Sequence, residues 1–235
     1  MKIIYIYMNK FLKIAHRGYS LLKKRENTLF AFQNAIKYNF DMIELDVQLT
    51  KSNDLIIHHD DYIVNNKKFH FIKDLTYQEI NRVNPYIITL PFFFQNIDKD
   101  KIKIYLDVKG DEKIMKPLLN YLDSEFNDLN NLIVASFNRN NIKEVIKYNK
   151  NKDCNNPKYL EKGFITENIY TNAELLILLK EVEYMVVYWT MLNKNLIDFC
   201  KKNNKKIYCY TLKDMEQMQI LKEFEIDGIV SDILF

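Results

Sequence analysis

The stretch MIELDVQLTKSNDLIIHHDD, residues 42–61, combines two short apolar runs with acids and histidines. Because strand side chains alternate, Glu44 and Asp46 lie on one face of the first run and its aliphatic residues on the other. In the second run His59 shares a face with two aliphatic residues, whereas His58 points away. A strand of a purely structural core has no need of these charged and titratable groups, so the stretch indicates a functional strand end.

Short apolar runs alternate with amphipathic segments along the chain, which is typical of parallel strands joined by helices. The predicted strands are Phe11–Ala15, Met42–Val47, Leu55–His58, Ile102–Val108, Leu132–Ser136, Phe164–Thr166, Tyr184–Trp189, Ile207–Thr211 and Gly228–Val230. The predicted helices cover 29–36, 111–126, 141–148, 171–180, 193–203 and 214–224. Residues 62–100 are expected to be irregular, with a short helix after Thr76. About eight strand–helix units predict an α/β fold, a (β/α)8 TIM barrel forming one domain over residues 1–235.

The segment between Val47 and Leu55 is too short for a crossover helix. The predicted barrel therefore lacks the helix between its second and third strands. An open, doubly wound sheet is the competing architecture. No G-x-G-x-x-G or P-loop motif follows any predicted strand, which removes the main support for the nucleotide-binding versions of that fold.

Composition limits the functional classes. A net charge of +3 on 235 residues, with lysines spread along the chain, does not indicate a nucleic-acid partner. Cys154, Cys200 and Cys209 lack metal-site spacing and are typical of reduced thiols in a cytoplasmic protein. The apolar run Ile3–Met8 is too short for a signal peptide, and no apolar run is long enough to cross a membrane. The oligomeric state is left open.

Charged side chains recur near the ends of several predicted strands. In a parallel barrel these ends face one mouth, which would collect His16, Glu44, Asp46, His59, Asp107 and Lys109. Buried carboxylates raise one another's pKa, and a bound divalent cation removes that penalty. Oxygen ligands favour Mg²⁺ or Ca²⁺. Histidines beside such an ion suit general acid–base catalysis.

Each of these signals has an ordinary structural explanation when taken alone. A single histidine at a strand end is more often a surface or capping group, and that interpretation is kept for His58 and His70. Glu44 and Asp46 alone would fit the exposed face of an edge strand equally well. Recurrence at several strand ends favours a functional site.

At these residues the chain resembles the glycerophosphodiester phosphodiesterase family, a group of phospholipase C-like phosphodiesterase barrels. The matching segments are AHRG at 15–18, ENTLFAFQNAI at 26–36, DMIELDVQLTKSND at 41–54, HD at 59–60, LDVK at 106–109, SF at 136–137, YTLKD at 210–214 and DGIVSD at 227–232. The run of HRG, ENT, ELD and HD at these intervals is highly specific, and the resemblance covers essentially the whole chain.

The resemblance implies a metal-dependent barrel that hydrolyses small glycerophosphodiesters to glycerol 3-phosphate and an alcohol. Glu44, Asp46 and Asp107 correspond to metal ligands for one divalent cation, Mg²⁺ or Ca²⁺, although the family usually has Glu where Asp107 stands. His16 and His59 correspond to the acid–base pair. The resemblance also implies that the substrate's own glycerol 2-hydroxyl attacks first and that water opens the cyclic product.

Other positions carry over with supporting roles. Arg17 and Lys109 correspond to cations on the substrate phosphate, and Glu26 and Asn27 are expected to shape the first loop and to reach the metal or His16. In the turn that follows the acidic strand the family's usual glycine is absent, and Asn53 is expected to adopt a positive φ there.

The segment 62–100 corresponds to the family's insertion over the carboxyl mouth of the barrel and is short here. It ends in LPFFFQ, residues 90–95. Its phenylalanines are expected to pack in the core at a helix start, and a lip in transient contact with a membrane surface is the alternative. Two functional alternatives stay open: a lysophospholipase D- or phospholipase C-like enzyme acting on lipids, and a catalytically decayed barrel that only binds.

Overall fold

Eleven strands and eight α-helices make up the part of the chain that the computed structural model describes, residues 11–20 and 25–235. The strands are β1 Leu12–Ala15, β2 Met42–Leu49, β3 Leu55–Ile57, β4 Tyr62–Asn65, β5 Lys68–Phe71, β6 Lys103–Val108, β7 Leu132–Ser136, β8 Glu161–Thr166, β9 Tyr184–Tyr188, β10 Lys206–Leu212 and β11 Gly228–Ser231. The helices are α1 Leu29–Lys37, α2 Tyr77–Val83, α3 Leu90–Asn96, α4 Met115–Glu125, α5 Arg139–Tyr148, α6 Asn172–Leu178, α7 Lys194–Lys202 and α8 Met215–Leu221. The predicted apolar run Ile3–Met8 lies outside the described residues.

Eight parallel strands close into a ring in the order β1, β2, β6, β7, β8, β9, β10 and β11. Closure follows from β1, which pairs in parallel with β11 on one side and with β2 on the other. The predicted (β/α)8 barrel is therefore confirmed, and the open doubly wound sheet is excluded. That residues 1–235 form one domain stays a prediction.

The strand β3 is not one of the eight. It pairs antiparallel with β2, with Leu49 opposite Leu55 and Val47 opposite Ile57. The predicted short connection is confirmed, but counting Leu55–His58 among the parallel barrel strands was wrong, because a tight turn joins only antiparallel neighbours. Asn53 in that turn has a φ of 63°, as predicted. The antiparallel return carries the chain from the tip of β2 back to the barrel mouth.

The segment 62–100 is more ordered than predicted. It contains the hairpin β4–β5 and the helices α2 and α3. The predicted helix after Thr76 is confirmed as α2, which begins with a capping box between Thr76 and Glu79. Five buried isoleucines hold the segment together, namely Ile56, Ile63, Ile72, Ile80 and Ile87. The expectation of irregular structure failed because these contacts are distant in sequence.

The apolar patch LPFFFQ forms α3, and it packs mainly inward. Phe93 is fully buried, and its ring lies 4.8 Å from that of Phe32 in an edge-to-face contact. The rings of Phe94 and Phe126 meet edge to face at 4.9 Å, and of the three phenylalanines only Phe92 is substantially exposed. The core-packing interpretation therefore holds for most of this patch.

The interior of the barrel is lined by alternate residues of the parallel strands, because successive side chains point to opposite sides. A single apolar cluster fills its lower part, formed by Ile14, Met42, Tyr105, Ile133, Ala135, Ile165, Tyr184, Val186, Tyr208 and Val230. The inward positions above this cluster belong to the carboxyl mouth. Among the described residues, no helix is long and apolar enough to cross a membrane.

Gly18 closes the loop between β1 and α1 against the start of the first helix. Its φ is 78°, and a Cβ atom built there would lie 2.7 Å from the backbone carbon of Ala31. Gly110, after β6, has a similar φ of 75°, but a Cβ there would meet nothing within 4 Å. The two glycines therefore separate the effect of steric clash from that of backbone conformation.

We expect Gly110→Ala to lower the free energy of unfolding by about 1–2 kcal/mol, because a left-handed φ disfavours any Cβ. Gly18→Ala adds overpacking of roughly 1–3 kcal/mol against a backbone that cannot yield. Urea unfolding monitored by circular dichroism measures both. Equal losses in the two variants would contradict the close approach of Gly18 to α1.

Candidate active site

Three buried carboxylates form the centre of the barrel mouth. Glu44 and Asp46 point inward from β2, and Asp107 stands beside Asp46 in the parallel register of β6. One carboxylate oxygen of each lies within 4.8 Å of those of the others. The structure thus brings together all three residues that the sequence predicted as metal ligands.

Two cations partly compensate the carboxylates. Lys109 Nζ lies 2.9 Å from Asp46 Oδ1 and 2.5 Å from Asp107 Oδ2, and Arg17 Nε lies 3.3 Å from Asp46 Oδ2. Although burial by itself would raise the pKa of Asp46, these cations lower it to about 2. Burial, with the charges of Asp46 and Asp107, raises the pKa of Glu44 well above its usual range. The two cations therefore compensate the negative charge of Asp46 more fully than that of Glu44.

The acidic cluster fits a divalent cation. Asp107 Oδ1 is buried and has no hydrogen-bond partner among residues 11–20 and 25–235. A buried carboxylate oxygen without a partner is costly, and coordination of a metal satisfies it. The donors are all oxygen atoms, which is the set that Mg²⁺ and Ca²⁺ prefer. Glu44, Asp46 and Asp107 could hold such an ion.

Both predicted histidines line the same cavity as the acids, which has a volume of about 510 Å³. His16 Nδ1 lies 2.5 Å from Asp232 Oδ1, and His59 Nδ1 lies 2.7 Å from Asp60 Oδ1. With Nδ1 held by a carboxylate, each imidazole keeps Nε2 for contact with a substrate. The carboxylates fix the orientation of the two rings.

The remaining two histidines lie elsewhere. His58 is turned away from the cavity, and its Nε2 lies 3.2 Å from the carbonyl oxygen of Tyr62. Its pKa is lowered because burial disfavours the imidazolium form. His70 lies in β5, outside the cavity. Neither joins the acidic cluster, in agreement with the sequence interpretation.

The loop after β1 is tied directly to the acids. The backbone N–H of Arg17 donates to Glu44 Oε2 at 2.7 Å, and the side chain of Asn27 donates to Asp46 Oδ2 at 2.7 Å. Arg17 Nη1 also donates to Glu26 Oε1 at 2.7 Å. Arg17 and Asn27 have positive φ values of 54° and 56°, a conformation that this web of contacts must stabilise. Glu26 and Asn27 thus shape the loop.

Asp232 and Gln48 are among the residues of the site that were not assigned a role from the sequence. Asp232 directly follows β11, as Lys109 follows β6, and this position at a strand end was the available signal for it. Gln48 lies in β2, and its Nε2 reaches the carbonyl oxygens of His58, His59 and Asp60 at 2.9, 3.1 and 2.5 Å. It holds the His59 loop against the barrel. These carbonyl groups lie next to Gln48 only because β3 pairs antiparallel with β2.

Aromatic side chains form the opposite wall of the cavity. Tyr188 and Tyr210 pack edge to face with their ring centroids 5.8 Å apart, and Phe137 lies 6.1 Å from Tyr210. Tyr210 donates to Glu167 Oε1 at 3.2 Å. Lys109 lies over the ring of Phe137 at 5.8 Å. The cavity therefore has a charged half, suited to a phosphate and a metal, and a half suited to organic groups.

A closed parallel barrel with acids, cations and histidines at its carboxyl mouth defines a (β/α)8-barrel enzyme. The profile of the glycerophosphoryl diester phosphodiesterase family matches residues 16–234. The chain therefore belongs to that family, and its class is that of a phosphodiesterase.

Individual relatives agree with the family. A glycerophosphodiester phosphodiesterase of Caldanaerobacter subterraneus subsp. tengcongensis is 28% identical over 243 residues, covering 95% of this chain and 94% of the relative. The crystal structure of a glycerophosphodiester phosphodiesterase from Thermotoga maritima has a TM-score of 0.77 at 24% identity, covering 95% of each chain. An Oleispira antarctica phosphodiesterase in complex with sn-glycerol-3-phosphate has a TM-score of 0.78 at 20% identity, covering 94% of this chain and 92% of its own. At these identities the solved structures establish the fold alone.

Because the pKa of Glu44 is raised, metal binding should compete with the proton on its carboxyl group. Without metal, the stability contributed by protonated Glu44 is present below the usual glutamate value of 4.5 and is lost as pH rises through the raised pKa. We therefore expect stabilisation by a fixed, limiting concentration of Mg²⁺ or Ca²⁺ to increase as pH rises above 4.5. Thermal unfolding with and without the ion at several pH values measures this.

The matched control is Glu44→Gln, which has the same shape but cannot ionise. It should show little stabilisation by either ion at any pH. Saturation at about one hundred times the dissociation constant should stabilise the wild type by about 2.7 kcal/mol. A wild-type response that is the same at every pH would contradict the assignment of Glu44.

Proposed function

We propose that the protein hydrolyses glycerophosphodiesters to glycerol 3-phosphate and an alcohol, using one divalent cation, Mg²⁺ or Ca²⁺. The observation that carries the proposal is the shared cavity: two histidines, each with Nδ1 beside a carboxylate, line the same space as three buried carboxylates and two cations. Family membership supports the reaction class. The Oleispira phosphodiesterase, whose structure is a complex with sn-glycerol-3-phosphate, supports the product.

The charged half of the cavity accounts for binding of the phosphodiester. Glu44, Asp46 and Asp107 would hold the cation, which supplies stabilisation of negative charge on the phosphoryl oxygens. Arg17 and Lys109 add fixed positive charge in a partly buried site, where electrostatic interactions are stronger than in water. Both cations are already positioned by Asp46, so little reorganisation is needed when the phosphate arrives.

The two histidines divide the proton transfers between them. One Nε2 takes a proton from the attacking hydroxyl, whose oxygen forms the new bond to phosphorus while the bond to the alcohol oxygen breaks. The other gives a proton to the departing oxygen, which is a poor leaving group as an alkoxide. Asp232 on His16 and Asp60 on His59 stabilise the imidazolium that forms on either ring.

We propose the glycerol 2-hydroxyl of the substrate as the first attacking group. It lies on the carbon next to the phosphate ester, so its attack forms a five-membered cyclic phosphate without a separate nucleophile. Water then opens the ring, with the roles of His16 and His59 reversed. The aromatic wall formed by Phe137, Tyr188 and Tyr210 would contact the organic parts of the substrate.

We expect His16→Ala and His59→Ala each to lower kcat by about 10²–10⁴-fold, because each removes one partner of the acid–base pair. The measurement is release of glycerol 3-phosphate from glycerophosphocholine and glycerophosphoethanolamine, with Mg²⁺, Ca²⁺ or EDTA. His70→Ala, the same substitution outside the cavity, should retain wild-type activity. EDTA should abolish the reaction.

Folded wild-type protein that releases no product with either metal would overturn the simple hydrolase. Turnover of lysophosphatidylcholine instead would support the lipid-directed alternative. Metal binding without turnover of any diester would support the decayed barrel.

The cyclic intermediate has its own test. A single-turnover reaction stopped with EDTA at early times should contain a cyclic glycerophosphate that disappears as glycerol 3-phosphate accumulates. A substrate lacking the 2-hydroxyl should not react. Hydrolysis of that analogue at the normal rate would show that water attacks directly.

A further inference from the structure

The hairpin β4–β5 turns an entirely apolar face away from the protein. Its antiparallel register pairs Tyr62 with Phe71 and Val64 with Phe69, so these four side chains lie on one side of the ribbon. The exposed fractions are 56% for Val64, 64% for Phe69 and 46% for Phe71, and Tyr62 is half-buried. We call these four residues the hairpin face.

The other side of the ribbon carries the contacts with the protein. Ile63 points inward and joins the isoleucine cluster that holds the insertion together. A two-stranded ribbon with one face on a core normally places polar residues on the other face. Here that face holds two phenylalanines, a valine and a tyrosine, with Tyr62 and Phe69 in an edge-to-face contact at 4.8 Å. Contiguous exposed apolar surface of this kind marks an interaction site.

Basic residues lie near both ends of this face. Lys67 and Lys68 lie exposed at the tip of the hairpin, next to the turn. Lys73 lies over the ring of Phe71, with Nζ 5.7 Å from its centroid. The exposed acids Asp60 and Asp61 lie at the opposite end of β4, close to His59. Lysines therefore lie at both ends of the hairpin face, two at the tip and Lys73 beside Phe71 at the base, and together they form a basic margin.

We propose that the hairpin face docks on a phospholipid bilayer that carries anionic headgroups. Aromatic side chains with lysines at their edge suit the boundary between headgroups and acyl chains, where the rings enter and the ammonium groups stay in water. The lysines complement the negative surface of such a membrane. A neutral protein partner would explain the apolar residues but not the basic margin.

Docking has a geometric consequence for the cavity. The hairpin starts at Tyr62, just after His59, which lines the cavity. Contact through the hairpin face would therefore hold the barrel mouth near the lipid headgroups. The membrane contact that was the alternative for LPFFFQ is better placed at the hairpin, because α3 buries Phe93 and leaves mainly Phe92 exposed. The proposal stands whether or not the site hydrolyses glycerophosphodiesters.

The test is co-sedimentation of the full chain with vesicles of phosphatidylcholine alone or mixed with phosphatidylglycerol. We expect binding to the mixed vesicles that weakens as salt is added, since the lysine contribution is screened. Phe69→Ser should reduce the partition by about tenfold, because a largely exposed ring can no longer be buried in the bilayer. Lys67→Glu with Lys68→Glu should remove the preference for phosphatidylglycerol.

The matched control is Phe92→Ser, which removes a phenylalanine 43% exposed outside the hairpin face and should bind like the wild type. Unchanged melting temperatures and unchanged hydrolysis of soluble glycerophosphocholine would show that the hairpin variants remain folded. Failure of the folded wild type to bind either vesicle overturns the proposal. So does equal binding by Phe69→Ser, or a wild-type dimer in sedimentation without lipid that Phe69→Ser makes monomeric.

Discussion

The repulsion among Glu44, Asp46 and Asp107 is the constraint around which this protein is organised. Three carboxylates within 4.8 Å of one another, all buried, are unfavourable unless positive charge faces them. Lys109 and Arg17 supply part of it, and the pKa of Asp46 falls to about 2 although burial opposes this. Glu44, whose pKa rises, is left less well compensated. The remaining negative charge therefore favours binding of one more cation, and Arg17 and Lys109 favour an anionic group at the edge of the site.

The barrel supplies the position of this charge. Parallel closure places the ends of β1, β2, β6 and β11 at one mouth, so residues far apart in sequence meet without any local motif joining them. Beneath them the apolar interior excludes water and supports the first layer of the site. The antiparallel excursion through β3 adds a second support, because Gln48 holds the backbone that carries His59. Rigid strands thus carry the three carboxylates, and short tethered loops carry the histidines.

Much of the fold was predictable because it depends on local patterns. Period-two strands, amphipathic helices and capping residues such as Thr76 are readable within a few residues. The direction of β3 was not predictable. Its sequence LII fits parallel and antiparallel pairing alike, and only the strand with which it pairs decides between them. The order within 62–100 was missed for a similar reason. Single isoleucines such as Ile63 and Ile87 predict no structure by themselves, and their contact in one buried cluster appears only in the folded chain. Asp232 and Gln48 escaped assignment because their roles lie in contacts with His16 and the His59 loop.

The sequence by itself determined the barrel, the family and the identity of the charged groups, because alternation and motif spacing fix which side chains face inward. Only the tertiary structure decided how these groups are paired: which cation lies on which acid, which carboxylate holds each imidazole, and which oxygen is left without a partner. It also decided that the phenylalanines of α3 are largely buried while those of β5 are exposed. The physical reason is that charge compensation and burial depend on distances between segments, and these distances exist only once the ring has closed.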